Sequence, residues 1–326
     1  MREGESDRTI RAPARCRLLA AAVLPRRVAD FGCGNLDGLA YVRGPVDRAG
    51  MAGASRRWWD AGWRVIGPTA GSLTVPAGNQ LKVQLRSVPD PASLSCLERC
   101  GAQVLSLAGA GSAVEALAHL RNLDGLRALD LWSVPVDDDV LGGVWDYRWM
   151  EFLEGLNLWG TLVSDAGLAA LAARTRLRRL HVPGRRTGDA AMACLADMTS
   201  LRELDLGGSS VTDEGLLLLA GAPNLTRLSL WGTGISDEGL AILASFPRLT
   251  ELDLGSTPMT DAGLHHLQLP QFKRICLLDS LVTPDGVRQL KAELPGCQIE
   301  PAGTRSGWAG LIPPPAAGRH DWGRRG

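Results

Sequence analysis

Three residues in this chain invite an enzyme. His181, Asp205 and Ser229 stand 24 residues apart in successive copies of one phrase, L-x-x-L-x-L, each just before its last apolar residue. A histidine, a carboxylate and a hydroxyl brought side by side are the parts of a nucleophilic hydrolase, provided the histidine lies between the other two. Here the order is wrong. If the copies stack as neighbouring strands, Asp205 takes the middle place and Ser229 falls two strand spacings, ~10 Å, from His181. Cys276 occupies the same position further on, with Asp253 beside it and no histidine. The chain holds only five His to supply general bases, and no copy carries a phosphate-cradling glycine loop or metal-ligand spacing. No catalytic residue, metal or cofactor is therefore expected.

Two other positions of the phrase are better suited to binding. The residue before the middle leucine reads Arg179, Glu203, Arg227, Glu251 and Arg274, changing sign at each step. That is either a charged docking strip or a ladder that neutralises itself; the strict alternation favours the ladder. The residue after the last leucine reads Trp132, Trp159, Pro183, Gly207, Trp231, Gly255 and Leu278. Tryptophan anchors interfaces because it covers a large area at small entropic cost. It also packs flat over small neighbours, and Trp231 between two glycines allows that. Trp132 and Trp159, in adjoining copies, are the stronger recognition candidates. With His181, Asp205 and Asp253 these columns make the expected partner-binding set.

What must hold these residues in line is the repeat itself. The phrase starts at Leu153, Leu177, Leu201, Leu225 and Leu249, a step of 24 each time, with an earlier copy at Leu126 after which the connection is longer. Val104–Leu107 and Phe272–Leu277 are degenerate copies. Such a period marks a solenoid, in which a unit too small to bury a core does so by stacking. Each copy reads as strand, turn and helix. Leu204 and Leu206 alternate with Glu203 and Asp205, putting leucines on the core side and polar residues outside. Thr212 or Asp213 is placed to cap the helix that follows. A hydroxyl recurs three places beyond the last leucine, at Thr161, Ser209, Thr233, Thr257 and Ser280, where a turning strand leaves carbonyls to satisfy.

At the ends the pattern changes. Ser72–Leu85 alternates on both sides of Pro-Ala-Gly-Asn and predicts a hairpin cap; Leu294–Glu300 predicts a last short strand with Ile299 inward. The expected organisation is a disordered region over 1–55, a cap with a β-hairpin over 56–95, a solenoid over 96–300 and a flexible Pro/Gly-rich tail over 301–326. Ser55–Arg64, basic and aromatic, is expected to bury its rings against the solenoid end. His265 and His266 read as paired surface histidines.

Composition narrows the partners. Lys plus Arg and Asp plus Glu are both 35, so the net charge is zero, and there is no overall attraction to nucleic acid or anionic membrane. The seven Cys are scattered without a CxxC pair, Cys96 and Cys100 being one helical turn apart, which fits a reducing compartment better than a disulfide framework. No stretch is long enough to span a membrane. Arg17–Pro25 is a poor signal-peptide core behind a polar start, so a cytoplasmic location is expected.

Taken together, L-x-x-L-x-L-x-x-[ST]-x-x-[VIM]-[TS]-D-x-G-L-x-x-L resembles the leucine-rich repeats of the ribonuclease-inhibitor-like superfamily, in the cysteine-containing subtype of F-box substrate receptors and bacterial proteins. Thr or Ser stands here for the usual Cys or Asn. The resemblance runs from about Leu85 to Glu300. It implies an α/β fold, a right-handed leucine-rich-repeat horseshoe with a parallel sheet on the concave face and helices on the convex face. For function it implies a non-catalytic protein-binding module. The alternative is a substrate-recruiting subunit of a larger enzyme complex, such as an F-box-like adaptor, although the first residues show no F-box helices.

Overall fold

In a computed structural model of the chain, the described residues are the strands Arg26–Asp30, Asp37–Arg43, Arg64–Pro68 and Ser72–Pro76, residues 80–88, 94 and 97, and residues 101–300 apart from 111, 112, 124, 145, 146, 173–175 and 183. Cys96, Cys100, Pro183, most of Ser55–Arg64 and all of 301–326 lie outside them.

Each three-residue repeat strand places one leucine or isoleucine between two outward side chains, and successive strands pair without slip. They are β6 (Val104–Ser106), β7 (Ala128–Asp130), β8 (Gly155–Asn157), β9 (Arg179–His181), β10 (Glu203–Asp205), β11 (Arg227–Ser229), β12 (Glu251–Asp253), β13 (Arg274–Cys276) and β14 (Gln298–Glu300). With β5 (Gln80–Ser87) they form ten consecutive parallel strands of one sheet. Leu180, Leu204, Leu228, Leu252 and Ile275 face one another in register. Leu204, Leu228 and Leu252 are at most 2% exposed, at the centre of a core that runs the length of the stack.

Short outer segments return the chain to the next strand. Asp138–Gly143, Asp165–Ala172, Met192–Ala196, Asp213–Leu219 and Pro284–Glu293 are α-helical. Gly239–Ser245 and Asp261–Leu267, expected as α-helices, are 3-10 helices. Packed helices need about 8–10 Å and strands about 4.8 Å, so a sheet on the inside and helices on the outside curve the stack; the slimmer 3-10 form eases crowding on the outer layer. The longer connection after Leu126 holds one more 3-10 turn, Arg148–Phe152. It inserts Trp149, fully buried, whose indole Nε1 donates to the Leu120 carbonyl at 2.8 Å.

The acidic residue that opens each outer segment does more than complement a helix end. Asp213 accepts from the backbone N–H and the hydroxyl of Ser236, one repeat on, at 3.0 and 2.6 Å. Asp189 does the same to Thr212, Asp237 to Thr260, Asp261 to Thr283 and Asp138 to Ser164. Thr212 stands at the cap position without a side-chain cap bond, its hydroxyl being given to Asp189. The Ser236 and Thr260 hydroxyls do both, also accepting from N–H groups of their own first turn. The glycine two residues after the next acid makes room. A Cβ on Gly239 would lie 1.9 Å from Asp213 Oδ1, and one on Gly215 would lie 2.1 Å from Asp189 Oδ1. The motif [ST]-D-x-G is thus a latch between repeats. Of the expected hydroxyl ladder, Thr161, Thr233, Thr257 and Ser280 donate to the carbonyl three residues back.

The start of the solenoid is built differently from the expected hairpin. β4 (Ser72–Pro76) pairs antiparallel with β1 (Arg26–Asp30) in a separate ribbon. β5 takes as its antiparallel neighbour β2 (Asp37–Arg43), which in turn pairs with β3 (Arg64–Pro68). Two strands therefore lie in the stretch expected to be unordered. The exposed edge of β5 supplies the reason: ladder groups there need a partner, and a strand from outside the repeats provides it.

Candidate functional site on the concave wall

The side of the sheet away from the core carries three columns, and the fixed register brings the members of each together. The first is a connected ladder. Arg179 Nε lies 3.4 Å from Glu203, Arg227 reaches Glu203 at 3.4 Å and Glu251 at 2.9 Å, and Arg274 reaches Glu251 at 3.5 Å. Every expected alternation is an ion pair. Burial would lower the Arg227 guanidinium, but Glu203 and Glu251 hold it above its ordinary value. With these side chains about a quarter exposed, Arg227→Met should cost about 1 kcal/mol of stability, and less in high salt. Equilibrium unfolding at two ionic strengths checks it; an unchanged stability would show that the ladder contributes nothing.

The second column, Ser106, Asp130, Asn157, His181, Asp205, Ser229, Asp253, Cys276 and Glu300, is nowhere more than 8% exposed. The polar residues placed on the outer side of the strands, His181, Asp205 and Asp253 among them, are thus buried. Strands at ~4.8 Å pitch let short polar side chains bond to one another along the wall. Ser106 Oγ and Asn157 Nδ2 donate to Asp130 at 2.8 and 2.7 Å, and burial still leaves Asp130 raised. His181 Nδ1 lies 3.1 Å from Asp205 Oδ2. Burial would raise Asp205, but His181 and the Gly207 amide bring it below the usual carboxylate value. Asp205 does stand between His181 and Ser229, in the order that cannot move a proton from serine to histidine. Asp253 accepts from the Gly255 amide at 2.9 Å; burial, with the charges of Asp205 and Glu300, pushes it up to about 7. Burial and the Asp253 carboxylate push the Cys276 thiol far up as well, which disfavours its thiolate.

The third column separates its tryptophans. Trp132 and Trp159 stack at 6.2 Å between ring centroids with planes 25° apart, and both are half-buried. Trp231 leans on its glycine neighbour: a Cβ on Gly255 would lie 2.7 Å from Trp231 Cδ1. Trp231 is half-buried, as the stacked pair is, and the Trp132 indole Nε1 is buried.

Elsewhere, a cavity of about 510 Å³ is lined by Phe272, Lys273, Leu294 and Cys297 among others. Burial raises the Cys297 thiol to about 11, which disfavours its thiolate at neutral pH. His265 and His266 are close to each other, at 3.8 Å between rings, on an outer 3-10 helix. Among the described residues no group of three or more His, Cys, Asp or Glu is placed to hold a metal, and no described helix is long and apolar enough to cross a membrane.

Sequence reasoning missed the latch and the buried state of the second column. The recurring [ST]-D-x-G carried the signal for the first; nothing local signalled the second.

A family model described as Leucine Rich repeat matches residues 197–220 and 221–244. No curated protein matches. Among solved structures, the internalin inlF of Listeria monocytogenes is similar at 18% identity over 66% of this chain and 70% of its own, with a TM-score of 0.43. Internalin C2 of the same organism is 23% identical over 65% of this chain and 83% of its own, with a TM-score of 0.45. A TLR13–ssRNA13 complex is 20% identical over 67% of this chain and 36% of its own, with a TM-score of 0.41. At these identities the likenesses decide nothing about a ligand.

Proposed function

Because the chain is a leucine-rich-repeat solenoid, we propose that it is a non-catalytic protein-interaction module that takes a protein partner on its concave wall. The observation that carries this is the stacked, half-buried Trp132–Trp159 pair in the turns that follow adjoining strands. Two aromatic faces held rigid by the sheet lose little entropy on contact, which is what an anchor requires. Arg179, Glu203, Arg227 and Glu251 form the polar surface around it, with Trp231 packed further along. His181, Asp205 and Asp253 lie beneath and set the charge of the wall. The self-neutralised ladder supports a protein partner over nucleic acid or membrane.

The order His181, Asp205, Ser229 and the raised Cys276 thiol support a non-catalytic role. Cys194, Cys276 and Cys297 are free thiols, which supports a reducing, cytoplasmic setting. The recurring [VIM]-[TS]-D-x-G-L-x-x-L half of each repeat supports the cysteine-containing, ribonuclease-inhibitor-like subtype.

Trp132→Ala with Trp159→Ala should weaken binding of captured partners about 100-fold, at hot-spot cost for two anchors, while leaving cooperative unfolding intact. Unchanged affinity would sink the reading, and loss of cooperative unfolding would show that the indoles pack the solenoid instead.

A further inference from the structure

The outer face of the stack departs from helix patterning at one place. Between the two buried leucines of an outer segment, two positions point away from the core, and on an amphipathic helix such positions are polar. In Asp213–Leu219 they are Leu217 and Leu218, 63% and 48% exposed. The equivalent pairs on either side are Ala193 with Cys194 and Ala241 with Ile242, none of them buried. Further on these columns turn polar, at His265 and Arg288. Outer segments lie about 8–10 Å apart and seven helical residues rise about 10 Å, so the three segments centred on Leu217 present about 300 Å² of uncharged surface. A stable interface takes about 800 Å² from each partner, as an apolar centre with a polar rim. Whatever covers this patch must therefore engage its two edges as well.

Those edges carry opposite charge. Where the chain leaves the sheet for the outer segments stand Asp189, Asp213, Glu214, Asp237 and Glu238, with Arg185 and Arg186 among them. Where it returns to the sheet stand Arg176, Arg202 and Arg248, with Asp197 among them and Arg178 at 4.0 Å from Glu154. Glu214, Glu238, Arg202 and Arg248 are all exposed. A half-turn about an axis normal to the patch lays the apolar centre on itself and each edge on the opposite edge of the other copy. The face thus complements itself, whereas a surface of one sign would be repelled at one edge. We propose that the convex face around Leu217 and Leu218 binds a second copy of this chain, back to back about such an axis. Both concave walls then face outward. The pairing goes beyond the reading of the wall as a binding surface and makes the module bivalent, so that a partner with two matching sites is held by avidity.

An interface of standard size binds at about micromolar Kd or tighter, so sedimentation velocity of the full chain at about 50 µM should show a dimer. Leu217→Glu with Leu218→Glu should weaken association at least about 100-fold and leave a monomer, with circular dichroism unchanged because both side chains are exposed. Charge reversal reads the same interface without touching either leucine. Glu214→Arg with Glu238→Arg makes both edges basic and should weaken the dimer about ten-fold; adding Arg202→Glu and Arg248→Glu should restore it. A monomer at every concentration would overturn the proposal. So would a dimer indifferent to Leu217 and Leu218, or one that the second reversal fails to restore. Trp132→Ala with Trp159→Ala should leave the dimer intact. Loss of the dimer in that variant would put the second copy on the concave wall and overturn the proposal, whereas the reading of that wall is decided by partner affinity.

Discussion

Gly239→Ala is expected to destabilise the protein by about 2–3 kcal/mol, and Asp213→Ala by a similar amount, while the double variant costs no more than either single one. The added methyl would sit 1.9 Å from Asp213 Oδ1 and 2.6 Å from its Cγ, so the carboxylate must leave its place. It then loses both bonds to Ser236, and hydrogen bonds to a charged acceptor contribute about 1.5–3 kcal/mol in all. Once Asp213 is gone the nearest remaining atom given for the methyl is Ile235 Cγ2 at 3.2 Å, the end of a side chain that can give by a few tenths of an ångström. In that background Gly239→Ala should be neutral, or stabilising by up to about 1 kcal/mol through helix propensity. A double-mutant cycle by urea unfolding reads the coupling directly. Additive single effects would mean that the glycine serves the backbone alone and that the latch does not exist.

The second large effect is a reversal with pH at Asp253. Its folded value is raised to about 7, by burial first and then by the charges of Asp205 and Glu300, against an unfolded value of about 3.9. The folded state therefore holds a proton that the unfolded state releases, and the contribution of Asp253 is fully present below about pH 4. It declines as pH rises towards 7 and is lost above that. Asp205, held low by His181 against the effect of its burial, works in the opposite sense and loses its contribution as the medium becomes acid. Asp253→Asn keeps an acceptor for the Gly255 amide and removes the charge. It should stabilise the protein by about 2 kcal/mol at pH 8 and by nothing at pH 4. Unfolding midpoints of both proteins across that range test it; a difference that does not change with pH would show that Asp253 titrates as an ordinary carboxyl.

These effects depend on neighbours one repeat away, and that distance separates what was legible in the sequence from what was not. Leu204, Leu228 and Leu252 announced the core because their alternation within a strand is local and their 24-residue recurrence brings them into register. The alternating arginines and glutamates announced a ladder for the same reason. Asp213 did not reveal its partner, because an acid after threonine at a helix start already has a sufficient local explanation. Only the recurrence of glycine two places later hinted at a side chain arriving from the previous repeat. The cap was misread through the same locality: Pro-Ala-Gly-Asn signals a hairpin, but β5 is the edge of a parallel sheet, and β2 from outside the repeats filled it. Burial of the second column was beyond reach, since polar types on a strand ordinarily point to water.

All of this stands on equivalent residues of successive repeats lying side by side along one wall. The most direct test is exciton-coupled circular dichroism of the indoles, because rings 6.2 Å apart with planes 25° apart must couple. The expected result is a couplet abolished alike by Trp132→Phe and by Trp159→Phe, with no further change in the double variant. Two small, additive losses would place the rings apart and contradict the account.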